Sequence, residues 1–152
     1  KMSPPLRSQE IQDALWEGLL DGTIDAIASD HAPHEADTKT LEFELATMGI
    51  LGLQTSLPLL MQAVHDGKIT PMRAVEVLST GPARCFSLDG GTLQVGSKAD
   101  ITILDPEERW FFDHSALASK SVNSPFLNSE LIGRAKTVIV DGNLVVSNGE
   151  VV

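Results

Sequence analysis

Cysteine, basic residues and long apolar runs are scarce in this sequence, and each shortage excludes a class of protein. Cys85 is the only cysteine, so no internal disulfide can form, as is usual in a reducing cytoplasm. Lysine and arginine number 11 against 21 acidic residues, and the net charge of -10 argues against nucleic acid or an anionic membrane as a partner. No apolar run approaches the length of a membrane span, and no signal-peptide core follows Lys1 and Met2. We therefore expect a cytoplasmic, globular piece with one core.

The most informative stretch runs from Thr23 to His34, where a short apolar run ends in an acid and two histidines. The run from Ile24 to Ala28 is typical of a strand covered on both faces in an α/β protein. Catalytic groups collect where such strands end, because the strand aims the side chain while the following loop shapes a pocket. Asp30 is aimed in this way. From chemistry alone, an aspartate at a strand end is more often a helix cap or turn residue than a base, so both interpretations stay open here.

The stretch Ser29-Asp30-His31-Ala32-Pro33-His34 resembles the signature at the last barrel strand of the amidohydrolase superfamily, and within it most closely the type I dihydroorotases. Related hydantoinases and allantoinases usually carry other residues after the Asp-His pair. The likeness covers nearly the whole chain, because further motifs follow the family's order at about its spacing: Lys1–Arg7, Met48–Gln54, Gly81–Arg84, Gly91–Gly96 and Ala99–Asp100.

The resemblance implies an α/β fold that is the C-terminal third of a longer enzyme. Residues 1–88 would be the C-terminal segment of a TIM-like (β/α)8 barrel, and residues 89–152 would be part of a small β-sandwich. The barrel would be incomplete. Since the sheet of the full enzyme would take strands from a missing N-terminal portion, we expect unpaired edges that favour dimerisation or swapping.

Dihydroorotases interconvert dihydroorotate and N-carbamoyl-aspartate in pyrimidine biosynthesis, and the resemblance places this chemistry on five residues. Asp30 would be both the catalytic residue and a zinc ligand, taking a proton from the attacking water and returning it to the leaving nitrogen. His34 would donate to the substrate's carboxylate. Met48 and Gly49 would contact the ring through backbone atoms. Ser3 stands where the family commonly has an asparagine that contacts substrate, and it keeps a shorter hydrogen-bonding side chain.

The histidines are too few for the Zn²⁺ centre that the resemblance implies. Only His31, His34, His65 and His114 are present, and no His-x-His pair occurs. A zinc ion wants three or four protein ligands, and the family's carboxylated lysine and remaining histidines are not supplied. We therefore expect the isolated chain to bind no catalytic metal tightly and to be inactive. His31 is expected to orient Asp30 or its loop.

Three helices are predicted in the first half of the chain. Ser8 would cap a helix that ends at Asp21-Gly22, an apolar pattern predicts a core helix from Gly52 to Val64, and Thr70-Pro71 would start the next. The polar stretch from Glu35 to Glu44 has no regular apolar spacing, so we interpret it as a mobile active-site loop and candidate lid.

The composition changes to strand-forming residues from residue 91 onward. Short strands are predicted at 91–93, 100–104 and 110–112, and a hairpin over 136–146 turns at Asp141-Gly142. Arg84 is expected to be a structural hydrogen-bond donor. Four residues match a family loop to which we assign no chemistry: Lys120, Asn123, Pro125 and Phe126.

Two functions from different classes follow from these patterns. The first is a fragment of a zinc-dependent dihydroorotase, which acts on a small molecule and needs its N-terminal portion or a homodimer. The second is a non-catalytic dihydroorotase-like assembly module, as such subunits are beside aspartate transcarbamoylase. A hydantoinase-like cyclic amidase is a variant of the first. Retention of Asp30 and His34 favours catalysis, because a structural copy has no chemical need for either.

Overall fold

The computed structural model describes residues 1–152 and combines short helices with one antiparallel sheet. The helices are α1 (Gln9–Asp21), α2 (Ala36–Lys39), α3 (Leu53–His65), α4 (Pro71–Val75) and α5 (Gly81–Cys85), with a π-helical turn at Glu76–Thr80. The strands are β1 (Ile101–Phe112), β2 (Ser129–Val140), β3 (Asn143–Ser147) and β4 (Glu150–Val151), and each pairs with the next in sequence. None of the helices is long and apolar enough to cross a membrane.

The helix ends follow the signals in the sequence. Gly22 ends α1 in the left-handed conformation, with φ of 90°, and the Thr70 hydroxyl accepts a hydrogen bond from the Arg73 N–H at 3.2 Å at the start of α4. Both predicted boundaries are therefore confirmed. Ser8 precedes α1 as expected, although its side chain makes no capping bond. The predicted helix from Gly52 to Val64 corresponds to α3.

The sheet confirms the predicted hairpin and corrects the other strands. Asp141 and Gly142 have φ values of 50° and 78°, which the tight turn between β2 and β3 requires. The two strands predicted within 100–112 are one strand, β1, because Pro106 lies in a register shift where its missing N–H breaks no ladder bond. The strand predicted at 91–93 is wrong: that segment has no strand beside it and belongs to no sheet.

Helix α3 packs against β2 and contributes residues to the buried core. The buried core cluster draws on α1, α3, α4, the π-helical turn and the Ile69 segment, and consists of Leu19, Leu60, Met61, Ala63, Ile69, Ala74 and Val77. Ala74 and Val77 are completely buried, so the short α4 and π-helical turn face inward. This small core is the platform on which the segment leading to Asp30 rests.

The chain exposes more surface than a self-contained domain of its size. Its accessible area is 10081 Å², whereas a compact monomer of this mass exposes about 7,500 Å². Only 18 of 152 residues are buried, and side chains on the predicted apolar face of α1 remain about half exposed, Ile11 at 46% and Leu15 at 52%. The structure therefore presents apolar surface of the kind that further protein usually covers.

The strand predicted from Ile24 is an extended segment without strand pairing. No other strand lies beside it, so its groups bond individually: the Ile24 N–H donates to the Gly18 carbonyl at 2.8 Å, and the Ile27 N–H to the Val77 carbonyl at 2.9 Å. The Arg73 guanidinium donates to the Ile24 carbonyl at 2.8 Å. Helices on one side thus fix the path of this segment where a neighbouring strand is absent.

The polar stretch from Glu35 to Glu44, predicted as a loop, contains local hydrogen bonds between its polar groups. It contains the single helical turn α2, and the Thr38 hydroxyl bonds to the Glu35 carbonyl at 2.9 Å. The Thr38 and Thr47 hydroxyls are 3.2 Å apart. This short turn is therefore stabilised by hydrogen bonds of local polar side chains, whereas a longer helix is stabilised by packing of its apolar face.

Two arginines share one carboxylate beside the extended segment. Glu76 lies 2.8 Å from Arg73 and 2.8 Å from Arg84, and these hydrogen bonds, with that from Arg84 the larger cause, hold the pKa of the Glu76 carboxyl below its ordinary value. This confirms Arg84 as a structural donor. Because Arg73 also bonds to the Ile24 carbonyl, the ion group supports the segment that carries Asp30.

We expect Gly81→Ala to destabilise the chain, although alanine favours a helix. A Cβ at this position would clash with the Asp25 carbonyl oxygen, a main-chain atom that cannot yield without moving the extended segment. The expected loss in the free energy of unfolding is about 1 to 3 kcal/mol, as for overpacked sites. Urea denaturation measures it. Gly90→Ala is the matched control, since nothing lies within 4 Å of a Cβ there; an equal loss in both variants would contradict the interpretation.

We expect Glu76→Gln to lower stability at neutral pH and to have no effect in acid. Because the folded-state pKa of Glu76 is depressed, its contribution is present above the unfolded-state pKa and is lost as pH falls through the folded-state pKa. Urea midpoints of both proteins should therefore differ near pH 7 and converge as the carboxyl is protonated. A difference that is independent of pH would show that the charge is not the source of the stabilisation.

Candidate active site

Asp30 ends the extended segment with a carboxylate that the rest of the chain leaves free. The residue is exposed, and its side chain makes no hydrogen bond or ion pair. Its φ of 44° lies in the left-handed region, which few residues other than glycine adopt and which aspartate tolerates better than most. A proton acceptor or metal ligand needs such a free carboxylate.

His31 joins the loop after Asp30 to the start of α3. Its Nδ1 accepts hydrogen bonds from the Gly52 N–H at 3.1 Å and the Leu53 N–H at 3.2 Å. These are the first donors of the helix, and no intrahelical carbonyl is available to them. Since an accepting ring nitrogen carries no proton, the neutral ring has its proton on Nε2. His31 therefore orients the loop, and its Nδ1 is bonded to α3 instead of Asp30.

His34 lies against the Met48 segment. Its Nε2 is 2.8 Å from the Met48 carbonyl oxygen. A carbonyl only accepts, so Nε2 carries the proton of this bond, and Nδ1 can donate only when the ring is the imidazolium. The predicted donation from His34 to a carboxylate thus requires either the charged ring or the loss of the Met48 bond.

The main-chain groups of the Met48 segment are nearly all occupied within the chain. Lys39 Nζ donates to the carbonyls of Thr47 and Gly49, each at 2.9 Å. His34 holds the Met48 carbonyl, and the N–H groups of Thr47 and Gly49 have carbonyl partners. Among the six groups only the Met48 N–H has no intramolecular partner. It is the free main-chain donor that a ligand could use here.

Gly49 allows the two loops to approach each other. Its φ is 107°, and a Cβ there would lie 2.6 Å from the Cβ of Ala32. The Ala32 N–H donates to the Ile50 carbonyl at 2.9 Å beside this point. A side chain at position 49 would therefore be strained in its backbone and would push the loop of His34 away.

Ser3 makes no bond to His34, Met48 or Gly49. It is exposed and makes no hydrogen bond, whereas the Lys1 carbonyl, two residues earlier, accepts from the Gly49 N–H at 2.9 Å. The structure thus brings His34, Met48 and Gly49 into contact. Ser3 and Asp30 are connected to them through the chain.

Asn123 and Lys39 are the two residues of this site that sequence reasoning missed. Asn123 bonds to the loops on both sides of the site, although it lies 89 residues from His34 along the chain. Its place in a stretch that resembles a family loop was the only available signal, and that signal named no chemistry. Nothing in the sequence marked Lys39, because its bonds are to main-chain carbonyls of a segment with no fixed spacing from it.

The residues present do not fit a metal centre by themselves. No group of three or more histidine, cysteine, aspartate or glutamate side chains is placed to hold a metal ion. The ligands of a zinc ion usually number three or four, and Asp30 offers one carboxylate. We therefore derive no chemical step through a metal from this chain.

A separate groove lies between α3 and the sheet and contains none of the predicted site residues. Leu57, Trp110 and Arg134 are among the residues that line it. The guanidinium of Arg134 lies over the Trp110 ring, 5.4 Å from its centroid, and is also held by Glu108. Asp30 is not among the residues that line this groove.

Curated relatives of this chain are named dihydroorotases. The protein from Syntrophotalea carbinolica is 50% identical over 144 residues, which cover 95% of this chain and 34% of that protein. The protein from Geobacter sp. strain M21 is 48% identical over 149 residues, or 98% of this chain and 35% of the relative. The chain therefore spans about a third of the length of the curated relatives it matches.

Several solved structures that the chain resembles are titled hydantoinases. L-hydantoinase (dihydropyrimidinase) from Arthrobacter aurescens superposes with a TM-score of 0.92 at 39% identity, covering 100% of this chain and 35% of that one. D-hydantoinase from Thermus sp. gives 0.90 at 33% identity, covering 99% and 34%. A sequence model of the amidohydrolase family matches residues 5–145. With this match over most of its length and the arrangement around Asp30 and His34, the chain belongs to the amidohydrolase family.

Proposed function

We propose that this chain is the C-terminal third of a metal-dependent dihydroorotase, which hydrolyses the cyclic amide of dihydroorotate to N-carbamoyl-aspartate and catalyses the reverse closure. The observation that carries the proposal is the contact of His34 with the Met48 segment, together with the exposed and unpaired carboxylate of Asp30 four residues before His34. It occurs in a chain that is 50% identical to a protein named dihydroorotase. Residues 1–88 would complete a barrel, and residues 89–152 would belong to a β-sandwich.

Asp30 is assigned the proton transfers. Its carboxylate would accept a proton from the water that attacks the amide carbon and would return it to the nitrogen that leaves, so the carboxylate is regenerated. The carboxylate is exposed and unpaired, which leaves it accessible to both the water and the nitrogen. Zn²⁺ is the metal that we assign to the complete enzyme, with Asp30 as the one ligand from this chain.

Substrate binding is assigned to four residues, which are His34, Met48, Gly49 and Ser3. The imidazolium form of His34 would keep Nε2 on the Met48 carbonyl and donate from Nδ1 to the substrate's carboxylate. The free Met48 N–H would donate to a ring carbonyl of the substrate. Gly49 would contribute through its backbone path, and the exposed Ser3 hydroxyl would add a further hydrogen bond at the edge of the site.

The exposed apolar surface supports the need for the remaining part of the enzyme. The accessible area of 10081 Å² exceeds by about a third what a compact monomer of this mass exposes. Large apolar side chains lie exposed close to the site, including Phe43 at 74% and Leu45 at 67%. We infer that the isolated chain is inactive and that the site is completed by the N-terminal portion.

A hydantoinase-like activity is the second candidate. The solved structures titled hydantoinase match 99% or more of this chain, with TM-scores of 0.83 to 0.92. Substrate choice between dihydroorotate and a hydantoin depends on whether a carboxylate must be bound, so His34 is the residue that separates the two. An enzyme that binds a ring without a carboxylate has no need of an imidazolium at this position.

We expect the chain to hydrolyse dihydroorotate only when the N-terminal two thirds of the Syntrophotalea carbinolica relative is supplied with it in the presence of Zn²⁺. Dihydroorotate and hydantoin hydrolysis are measured with each part alone and with the two together. Asp30→Asn should reduce the rate at least about 100-fold, the lower end of what a general acid-base contributes. Asp25→Asn, in the same extended segment, is the matched control and should retain activity.

Three results would contradict the proposal. Preferential hydrolysis of hydantoin would establish the second candidate. Equal losses in Asp30→Asn and Asp25→Asn would remove Asp30 from the chemistry. If a folded complex of the two parts formed but hydrolysed neither substrate, the chain would be a non-catalytic module, and its binding to aspartate transcarbamoylase would then be the measurement to make.

A further inference from the structure

The side chain of Asn123 connects the two loops that form the candidate site. Its Oδ1 accepts from the His34 N–H at 3.2 Å, and its Nδ2 donates to the Ala32 carbonyl at 2.8 Å and the Gly49 carbonyl at 3.3 Å. Its main-chain carbonyl accepts from the Leu51 N–H at 3.1 Å. One half-buried residue from the segment between β1 and β2 thus bonds to both loops.

The pattern of these bonds requires an amide. The oxygen faces a donor and the nitrogen faces two carbonyl oxygens, so only a group with both an acceptor and two N–H donors satisfies all three partners. An aspartate would keep the bond to the His34 N–H but would place a second acceptor against the carbonyls of Ala32 and Gly49. A leucine of similar size would make none of the three.

The bonds of Asn123 act on the groups that place the His34 ring. That ring reaches the Met48 carbonyl only if the loop of Ala32 and His34 stays in register with the loop of Met48 and Gly49. The other links between the two sides are the bond from the Ala32 N–H to the Ile50 carbonyl, the bonds from the Gly52 and Leu53 N–H groups to His31 Nδ1, and the bond of the His34 ring itself. Without Asn123 the His34 N–H would lose its acceptor, and His34 itself would be held to the Met48 segment only through its ring.

We propose that Asn123 is the positioning residue of the site: it sets the His34 imidazole against the Met48 carbonyl and thereby directs Nδ1 toward the ligand's carboxylate. Its link to carboxylate binding depends on the proposed function, whereas its effect on the His34 ring does not. Lys39 has a different task, because its ammonium group donates to the Thr47 and Gly49 carbonyls and makes no hydrogen bond to Ala32 or His34.

The first test measures the isolated chain, with no substrate. In Asn123→Ala, hydrogen exchange at the His34 N–H should become at least about tenfold faster than in the native chain, because an intramolecular acceptor is lost. The ¹⁵N signals of the His34 ring should shift as the Met48 bond weakens. Asn123→Asp should free the ring but leave the His34 N–H bonded. Asn128→Asp is the matched control, because Asn128 lies in the same segment as Asn123 and its side chain makes no hydrogen bond.

The second test uses the chain complemented by the N-terminal part of the relative. Asn123→Ala should raise the KM for dihydroorotate at least about tenfold while kcat changes less than about threefold, since Asp30 is left in place. Asn123→Asp should behave like the alanine variant, and Asn128→Asp like the native chain. A fall in kcat together with a rise in KM, accompanied by faster exchange across the core, would mean a general structural role and would overturn the proposal.

The two tests separate the possible failures. Unchanged His34 exchange and ring signals in both Asn123 variants would overturn the positioning role whatever the activity. If the complemented native chain hydrolyses no dihydroorotate, the proposed function fails, and the exchange and ring signals alone decide whether Asn123 positions His34.

Discussion

The backbone of residues 23–34 needs hydrogen-bond partners although no strand lies beside it, and the local structure follows from how this need is met. An N–H or C=O that is shielded from water without a partner costs about 1 to 3 kcal/mol, so where neighbours cover this partly exposed segment, other groups take the place of an adjacent strand. On one side the replacements come from helices: the Gly18 and Val77 carbonyls and the Arg73 guanidinium. On the other side they come from Ile50 and Asn123.

This division explains why charged and amide side chains surround a segment of small apolar residues. Arg73 and Asn123 both donate to main-chain carbonyls, and each is itself oriented by further bonds, Arg73 by Glu76 and Asn123 by the His34 N–H. A side chain that is held in this way loses little additional freedom when it bonds to the segment. The direction in which Asp30 leaves the segment is therefore fixed from both ends.

The features predicted from the sequence are those that depend on neighbours along the chain. The ends of α1 and α4 and the turn at Asp141-Gly142 are set by residues within a few positions, and these predictions were confirmed. The strand at Ile24 failed because apolar composition indicates an extended backbone but says nothing about whether a partner is present. In the site, the motif indicated which residues to examine. It could not reveal Asn123, whose three partners are set only by the tertiary fold.

The charge of the chain constrains how the site could hold an anionic substrate. A net charge of -10 disfavours an approaching carboxylate, but that repulsion is screened beyond about 8 to 10 Å in physiological salt. Within that distance the charges of the nearest groups determine whether a carboxylate is attracted or repelled. The ammonium group of Lys39 lies on the Gly49 carbonyl at 2.9 Å, and His34 adds a positive charge only while its ring is protonated. For the carboxylate ligand that we propose, the protonated ring of His34 would add a second positive charge to that of Lys39. Retaining the Met48 bond in that state keeps Nε2 satisfied and leaves the second proton for the ligand.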